Sequence, residues 1–422
     1  MSNALIIDAL RTPIGRFGGG LLEHSATDLA TIVLKALIER NFGPDGGDAL
    51  QPAPNEGAGP AEARPLHDVS GVFFGQVLQG GSGVNLARVA AIRAGLPNSV
   101  CASTINIACA SGMKALDMAR QGILLGEGDV YLAGGAESMS NVPYYVREMR
   151  WGHKLFNTEM VDGVMDGLTC SVTGMGMGLT AEEIASRTGI TREEMDAWAL
   201  RSQERAAAAI AAGRFADEII PVPLEGPRFS RPKGGPAEAR PLLTTDEHPR
   251  ETSLDALAGL RPAFKPDGCI TAGNASGIND GAAACLIASP EAAERHGWTP
   301  RAAILGSALA GIEPEVMGLG PIDAVRKLCD KLDLGVDDFE LVELNEAFAV
   351  QAVAVIRELG LDEERVNVNG SGIALGHPIG ATGARIVCSL LYEMERRDLH
   401  LGLATLCIGG GMGMAMAIER QG

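Results

Sequence analysis

The chain alternates short apolar runs with stretches whose apolar positions recur every three or four residues, the pattern of an α/β protein. Residues 4–8, 69–77, 103–108, 129–133 and 282–288 read as strands. Between them, residues 27–40, 86–94 and 111–125 read as helices, with Leu29, Ile32, Val33 and Ala36 sharing one face of the first. The order then repeats. Residues 302–308, 341–344, 366–368, 402–407 and 414–418 read as strands, and 322–332, 347–359 and 381–396 as helices. Matching points (Asp68 with Phe339, Cys109 with His377, Tyr131 with Leu403) keep an offset of 268 to 272 residues. Shared order at a near-constant offset predicts a duplicated βαβαβαββ unit.

Residues 141–271 do not fit the unit. They carry one Ala-rich helical stretch, 191–212, and irregular segments, and read as an insertion that covers a site. The predicted organisation is therefore an N-terminal half, 1–140 with 272–290, an inserted loop domain, 141–271, and a C-terminal half, 291–422. Two segments, 43–66 and 224–243, are rich in Pro, Gly, Ala and Glu and read as surface loops. Both contain GPAEARPL, at 59–66 and 235–242. Biased loop composition accounts for the repetition as far as the sequence goes.

Composition narrows the function. Asp plus Glu number 53 against 35 Lys plus Arg, a net charge of −18, which disfavours nucleic acid and anionic membranes as partners. No apolar run reaches the roughly 18–20 residues of a membrane span. The start, MSNALIIDALRTP, lacks a basic leader and reads as a first strand, not a signal peptide. The eight cysteines are dispersed with no CxxC, so reduced thiols in the cytoplasm are expected, with no disulfide framework and no metal site. Aromatic residues make up only 4% of the chain, yet the segment from 143 to 157 gathers Tyr144, Tyr145, Trp151 and Phe156 with Arg147 and Arg150. Such a segment reads as a partner surface or as a cover on its own subunit.

Four residues stand where chemistry can be done. Cys109, in NIACASGMKAL, falls between a strand and a helix, where free N–H groups and the helix dipole lower a thiol pKa. Otherwise it is a small buried apolar residue. His377, in GSGIALGHPIGATGA, is held among glycines with Pro378 fixing the next φ, and falls opposite Cys109 in the duplication. Cys407 ends a strand at a glycine cluster whose N–H groups can face an anion. Asn345, in ELNEAF, suits either a helix cap or a site, and Glu346 suits a first-turn helix acid.

Taken together, RTPIGRFGG (11–19), NIACASGMKA (106–115), AGGAESMSNVPY (133–144), TAGNASGINDGAA (271–283), VMGLGP (316–321), ELNEAF (343–348), NGSGIALGHPIGATGARI (369–386) and LCIGGGMG (406–413) resemble the thiolase family over nearly the whole chain. The resemblance implies a five-layered α-β-α-β-α fold and an acyltransferase that needs no cofactor, with acyl-CoA and CoA as substrates and products. It implies that Cys109 is the acylated nucleophile, that His377 activates it, and that Cys407 moves a proton at substrate C2. It implies an enolate held by His377 and by a water on Asn345, and a tetrahedral oxyanion held by the N–H groups of Cys109 and Gly409. Ser276 and Met177 match residues beside the pantetheine arm, and Gly176 stands where many biosynthetic members carry His. Arg228 and Arg231, with Lys233 and Arg240, lie in a loop where the family often meets the CoA nucleotide. A homodimer, or a homotetramer built through the 143–157 segment, is implied as well.

The expected reaction is the reversible condensation of two acetyl-CoA to acetoacetyl-CoA. The alternative is a 3-ketoacyl-CoA thiolase cleaving longer chains in fatty acid β-oxidation. Decarboxylating condensing enzymes pair a Cys with two His, which Cys407 and the single motif His377 disfavour. A non-catalytic acyl-CoA carrier on the same fold should lack one of the four residues, and all four are present.

Overall fold

The structure, a computed structural model, describes residues 4–43, 65–224 and 241–422. Nine strands carry the architecture: β1 Ala4–Arg11, β2 Gly71–Gly75, β3 Cys101–Ile105, β4 Val130–Ser138, β5 Asn279–Ala288, β6 Ala302–Gly311, β7 Leu341–Leu344, β8 Leu401–Ile408 and β9 Met412–Arg420. The first five pair in the order β1-β5-β4-β2-β3 and the rest in the order β6-β9-β8-β7. In both sets two antiparallel pairings are followed by parallel ones. The duplication expected from the sequence is thus present in strand order and in direction. The two half-sheets join only at β1 and β6, over three residue pairs from Ala4↔Ile304 to Ile6↔Ala302.

The second half lacks a full counterpart of β3. Residues 366–368, expected as a strand, form only a bridge from Val366 to Val342. Asn367 explains the difference. It adopts φ 49°, and its side chain accepts from Leu344 N at 2.8 Å and donates to Leu344 O at 2.8 Å. An amide side chain replaces the next rungs of the ladder.

Helices make the remaining layers: α1 Ala26–Phe42, α2 Leu86–Arg93, α3 Ser111–Leu124, α4 Met177–Thr188, α5 Arg192–Ala211, α6 Gly320–Leu332, α7 Ala349–Leu359 and α8 Ile379–Arg397. Ser25 and Asp28 close a capping box at α1, whose Leu29, Val33, Leu34 and Leu37 are fully buried against the first half-sheet with α2. Each such side chain contributes about 1.5–3 kcal/mol. On the far side, α6 and α7 share a core with Val342, Leu344 and Leu403. Between the half-sheets run α3 and α8, packed on both through Met113, Leu116, Val387 and Leu390. The result is five layers, α-β-α-β-α.

The two central helices cross backbone to backbone. A Cβ on Gly383 would stand 2.5 Å from Met113 N, and one on Gly112 would stand 2.9 Å from Ala384 N and 3.0 Å from Gly380 O. Only glycine permits this approach.

The segment between β4 and β5 contains α5, begun by Thr191 and Glu194 in a capping box, and also α4, which the sequence pattern missed. Its cap is Gly176 with no side-chain hydrogen bond, so the usual start signal is absent. Trp151 and Phe156 are 88% and 94% exposed, and Tyr144 is exposed too, so the aromatic segment does not fold down as a cover. The loop residues Arg228, Arg231, Lys233 and Arg240 lie outside the described residues, as does most of both GPAEARPL copies.

Candidate active site

Cys109 stands just before the cap residue of α3, and His377 just before the cap residue of α8. The chain turns sharply at Cys109. Ala108 takes φ 46°, and the Ser111 hydroxyl accepts from Ile107 N at 2.9 Å while donating to Ala108 O at 2.6 Å. The N–H groups of Gly409 and of Cys109 itself point at the sulfur and favour the thiolate. Burial outweighs them and pushes the thiol above its ordinary value, with Glu137 adding in the same sense. The helix-start argument alone predicted a lowered pKa, and the structure corrects it. This sulfur needs a base.

His377 is the candidate for that base. Its backbone N donates to Asn279 Oδ1 at 2.9 Å, and its Nδ1 lies 2.7 Å from Thr382 Oγ1. The Thr382 hydroxyl donates to Pro378 O at 3.0 Å, so it accepts from Nδ1–H. We therefore assign the proton to Nδ1, which leaves Nε2 as an acceptor. Burial, aided by the charge of Arg385, holds the imidazole down at about 3. The ring is neutral at physiological pH.

Asn345 follows β7 directly, and its N donates to Thr405 O at 3.0 Å, beside β8 and two residues from Cys407. Its Nδ2 lies 3.5 Å from His377 Nε2, and its buried Oδ1 has no hydrogen-bond partner among the described residues. The helix-cap alternative fails, because Phe348 caps α7. The side chain fits only because Gly372 has no Cβ, which would stand 2.8 Å from Asn345 Oδ1. Glu346 is not a helix acid. It is fully buried and accepts from Trp198 Nε1 (3.0 Å), Ser202 Oγ (2.7 Å), Asn367 Nδ2 (3.0 Å) and Ile373 N (3.2 Å). It locks the loop bearing Asn345 to α5 of the insertion.

Cys407 is fully buried near the end of β8. Burial, then the facing Cys109, pushes its thiol well up. Met177, the first residue of α4, has its sulfur 3.4 Å from the spot a Cβ on Gly409 would take. Ser276 is half-buried and its N donates to Ala347 O at 2.9 Å, two residues beyond Asn345. Next to them Phe264 and Phe348 meet edge to face at 6.3 Å. Gly176 borders open space, with nothing within 4 Å of where its Cβ would be.

Sequence reasoning missed Thr382, Asn279 and Glu137. Thr382 carried a signal, since one turn of helix after Pro378 returns it toward the histidine. Glu137 carried none. It is fully buried and accepts from Val77 N (2.9 Å), Leu78 N (3.2 Å) and Gly380 N (3.0 Å), which ties the loop beside Cys109 to the start of α8. Burial raises it to about 7. Among the described residues, no three His, Cys, Asp or Glu side chains gather to hold a metal ion, and no helix is long and apolar enough to cross a membrane.

Two thiols, a neutral imidazole and an amide, set where two half-sheets and two helix starts converge, form a candidate site with the groups that cysteine-dependent acyl transfer needs. The chain belongs to the thiolase family: residues 62–291 match the model of the thiolase N-terminal domain and 298–420 that of the C-terminal domain. It is 49% identical to an acetyl-CoA acetyltransferase of Chromobacterium violaceum, over 98% of this chain and 99% of that one. It is 46% identical to a beta-ketoadipyl-CoA thiolase of Pseudomonas aeruginosa, over 98% of each chain. Among solved structures it resembles the Bacillus anthracis acetyl-CoA acetyltransferase (TM-score 0.90, 42% identity) and human mitochondrial 3-ketoacyl-CoA thiolase (TM-score 0.89, 39% identity), each over 100% of this chain and 99% of the other.

Proposed function

We propose that the chain catalyses the reversible condensation of two acetyl-CoA to acetoacetyl-CoA and CoA through an acyl-enzyme on Cys109. The observation that carries this reading is the pairing of two protonated thiols, Cys109 and Cys407, with an unprotonated His377 held at Asn345. His377 Nε2 takes the Cys109 proton as the sulfur attacks the thioester carbonyl. The N–H groups of Cys109 and Gly409 stabilise the oxyanion. The departing CoA thiolate takes the Cys407 proton. Cys407, now a thiolate, removes a C2 proton from the second acetyl-CoA and regains its thiol form. The enolate oxygen is held by the His377 imidazolium and by a water on Asn345. The C2 carbon attacks the acyl carbonyl, and Cys109 leaves as a thiolate and recovers its proton from His377.

Met177 and Ser276 would line the pantetheine channel, with Phe264 and Phe348 as its apolar wall. Arg228 and Arg231 would meet the CoA nucleotide, as the family's loop does. CoA serves as substrate and product, and the chemistry needs no cofactor. The exposed Trp151 and Phe156 support a homotetramer built on a dimer. Eight free thiols support a reducing, cytoplasmic setting.

A second reading rests on Gly176. The open space there supports a 3-ketoacyl-CoA thiolase acting on longer chains. Steady-state thiolysis of 3-ketoacyl-CoAs of graded length tests the choice. A kcat/KM that falls steadily beyond acetoacetyl-CoA supports the first reading, and one that rises with length supports the second.

A further inference from the structure

Behind the site lies a pair of buried ionisable side chains that the reaction as described does not use. Arg385 sits in α8, eight residues after His377, and Glu343 sits on β7, two residues before Asn345. Each is only 1% exposed. Arg385 Nη1 stands 3.5 Å from Glu343 Oε2, and Nη2 donates to Ser371 Oγ at 3.3 Å. Arg385 Nε and Nη1, and Glu343 Oε2, have no hydrogen-bond partner among the described residues.

This is poor geometry for a stabilising contact. Burial raises the Glu343 carboxyl to about 8 despite Arg385 beside it, and desolvating a buried pair is costly enough that apolar replacements of similar size are often neutral or better. The neighbouring Arg11 shows what a stabilising arrangement looks like here. It is equally buried but donates to Glu218 Oε1 at 2.6 Å and to both Asp246 oxygens at 2.7 and 3.0 Å. Arg385 has no such partners, yet it stands on the helix that carries the base, opposite the strand that carries the amide.

We propose that Arg385 and Glu343 are a positioning pair for the reaction: their contact ties α8 to β7 behind the site, so that His377 Nε2 is held facing Asn345. This rests on the reading of His377 as the base. After burial, Arg385 is the group that lowers the His377 imidazole. The other titratable groups on the elements packed about the site are Glu343 on β7 and Glu346 after it, Glu137 and Asp280 on the first half-sheet, and the thiols of Cys109 and Cys407. Burial raises all four carboxyls, which weakens their pull on the ring, so the loss of the Arg385 charge should itself let the imidazole rise.

The test is the rate of iodoacetamide alkylation of the Cys109 peptide, followed by mass spectrometry across pH, in wild type, R385K, R385M and E343Q. R385M should move the acid limb to higher pH, with the rate at the acid end falling roughly tenfold per unit of pKa shift. R385K should keep the wild-type profile. E343Q should lower kcat for acetoacetyl-CoA thiolysis with little change in KM and no upward movement of the acid limb. An R385M profile that is only scaled down, with its limb unmoved, overturns the proposal, since a merely structural loss has that form. If R385M does not fold, E343Q decides alone, and an unchanged kcat overturns the proposal. H377Q separates the two levels. Alkylation at the wild-type rate in H377Q removes the base reading itself, whereas its loss together with an unmoved R385M limb removes only the role given to Arg385.

Discussion

Cys109 and His377 occupy the same place in the two repeats: each lies three residues before a glycine, Gly112 and Gly380, at which the central helices touch. The Cys109 sulfur and the His377 imidazole are therefore positioned by one helix crossing rather than by two independent loops. A duplicated unit supplies two helix starts that meet at its pseudo-symmetric centre, with a different functional group at each start.

The crossing makes stability and activity depend on glycine. Gly383→Ala forces a methyl group to within 2.5 Å of Met113 N. Overpacking of this kind typically costs about 1–3 kcal/mol. The expected result in urea denaturation is a lower midpoint at unchanged slope, with activity falling in the still-folded fraction. A midpoint equal to wild type would mean that the helices are not in backbone contact.

Asn345 faces the imidazole, and the side-chain hydrogen bond it makes among the described residues is the one to His377 Nε2. Asn345→Ala should lower kcat by roughly 10²–10³-fold, the usual loss for one oxyanion donor, with little effect on stability. Steady-state condensation rates check this. A rate within a fewfold of wild type would remove the amide from the site.

The sequence pattern located these elements well wherever burial is periodic. Strand β7 is apolar enough to be found at its true ends, and α8 is found to within two residues at its start. It failed where side chains take over backbone roles. The strand expected at 366–368 is replaced by the Asn367 side chain on Leu344, and α4 begins at a glycine with no capping signal. At the candidate site, Cys109, His377, Cys407 and Asn345 were picked out by the ordered family motifs around them, since each alone suits a structural role as well. The sign of the Cys109 shift was not legible, because desolvation depends on how the folded chain covers the sulfur, and it outweighs the N–H groups of Cys109 and Gly409 that favour the thiolate.

Glu137 predicts an unusual pH dependence. Its carboxyl is raised from 4.5 to about 7 in the fold. The folded state therefore binds a proton that the unfolded state has released. The associated stability is fully present below about 4.5 and is lost as pH rises through about 7, at most roughly 3 kcal/mol. In Glu137→Gln this dependence should vanish, so the stability gap between wild type and variant should narrow from about pH 5 to about pH 8. Urea midpoints measured across that range check it, and a constant gap would contradict it.

Gly176 has an ordinary φ of −64° and open space at its Cβ, so a side chain there should be tolerated by the fold. Gly176→Leu should fill that space. Discrimination between a long and a short acyl group should then change by roughly tenfold or more in kcat/KM, to the disadvantage of longer 3-ketoacyl-CoAs, with acetoacetyl-CoA little affected. An equal change for all lengths would show that the space is not part of the acyl pocket.

The most direct measurement is peptide mass spectrometry of the protein after brief exposure to isotopically labelled acetyl-CoA. The predicted result is a labelled acetyl group on the peptide containing Cys109, discharged by added CoA and absent from Cys109→Ser. Label only on another residue, no label at all, or a serine variant that condenses at the full rate would contradict the assignment of Cys109 as the nucleophile.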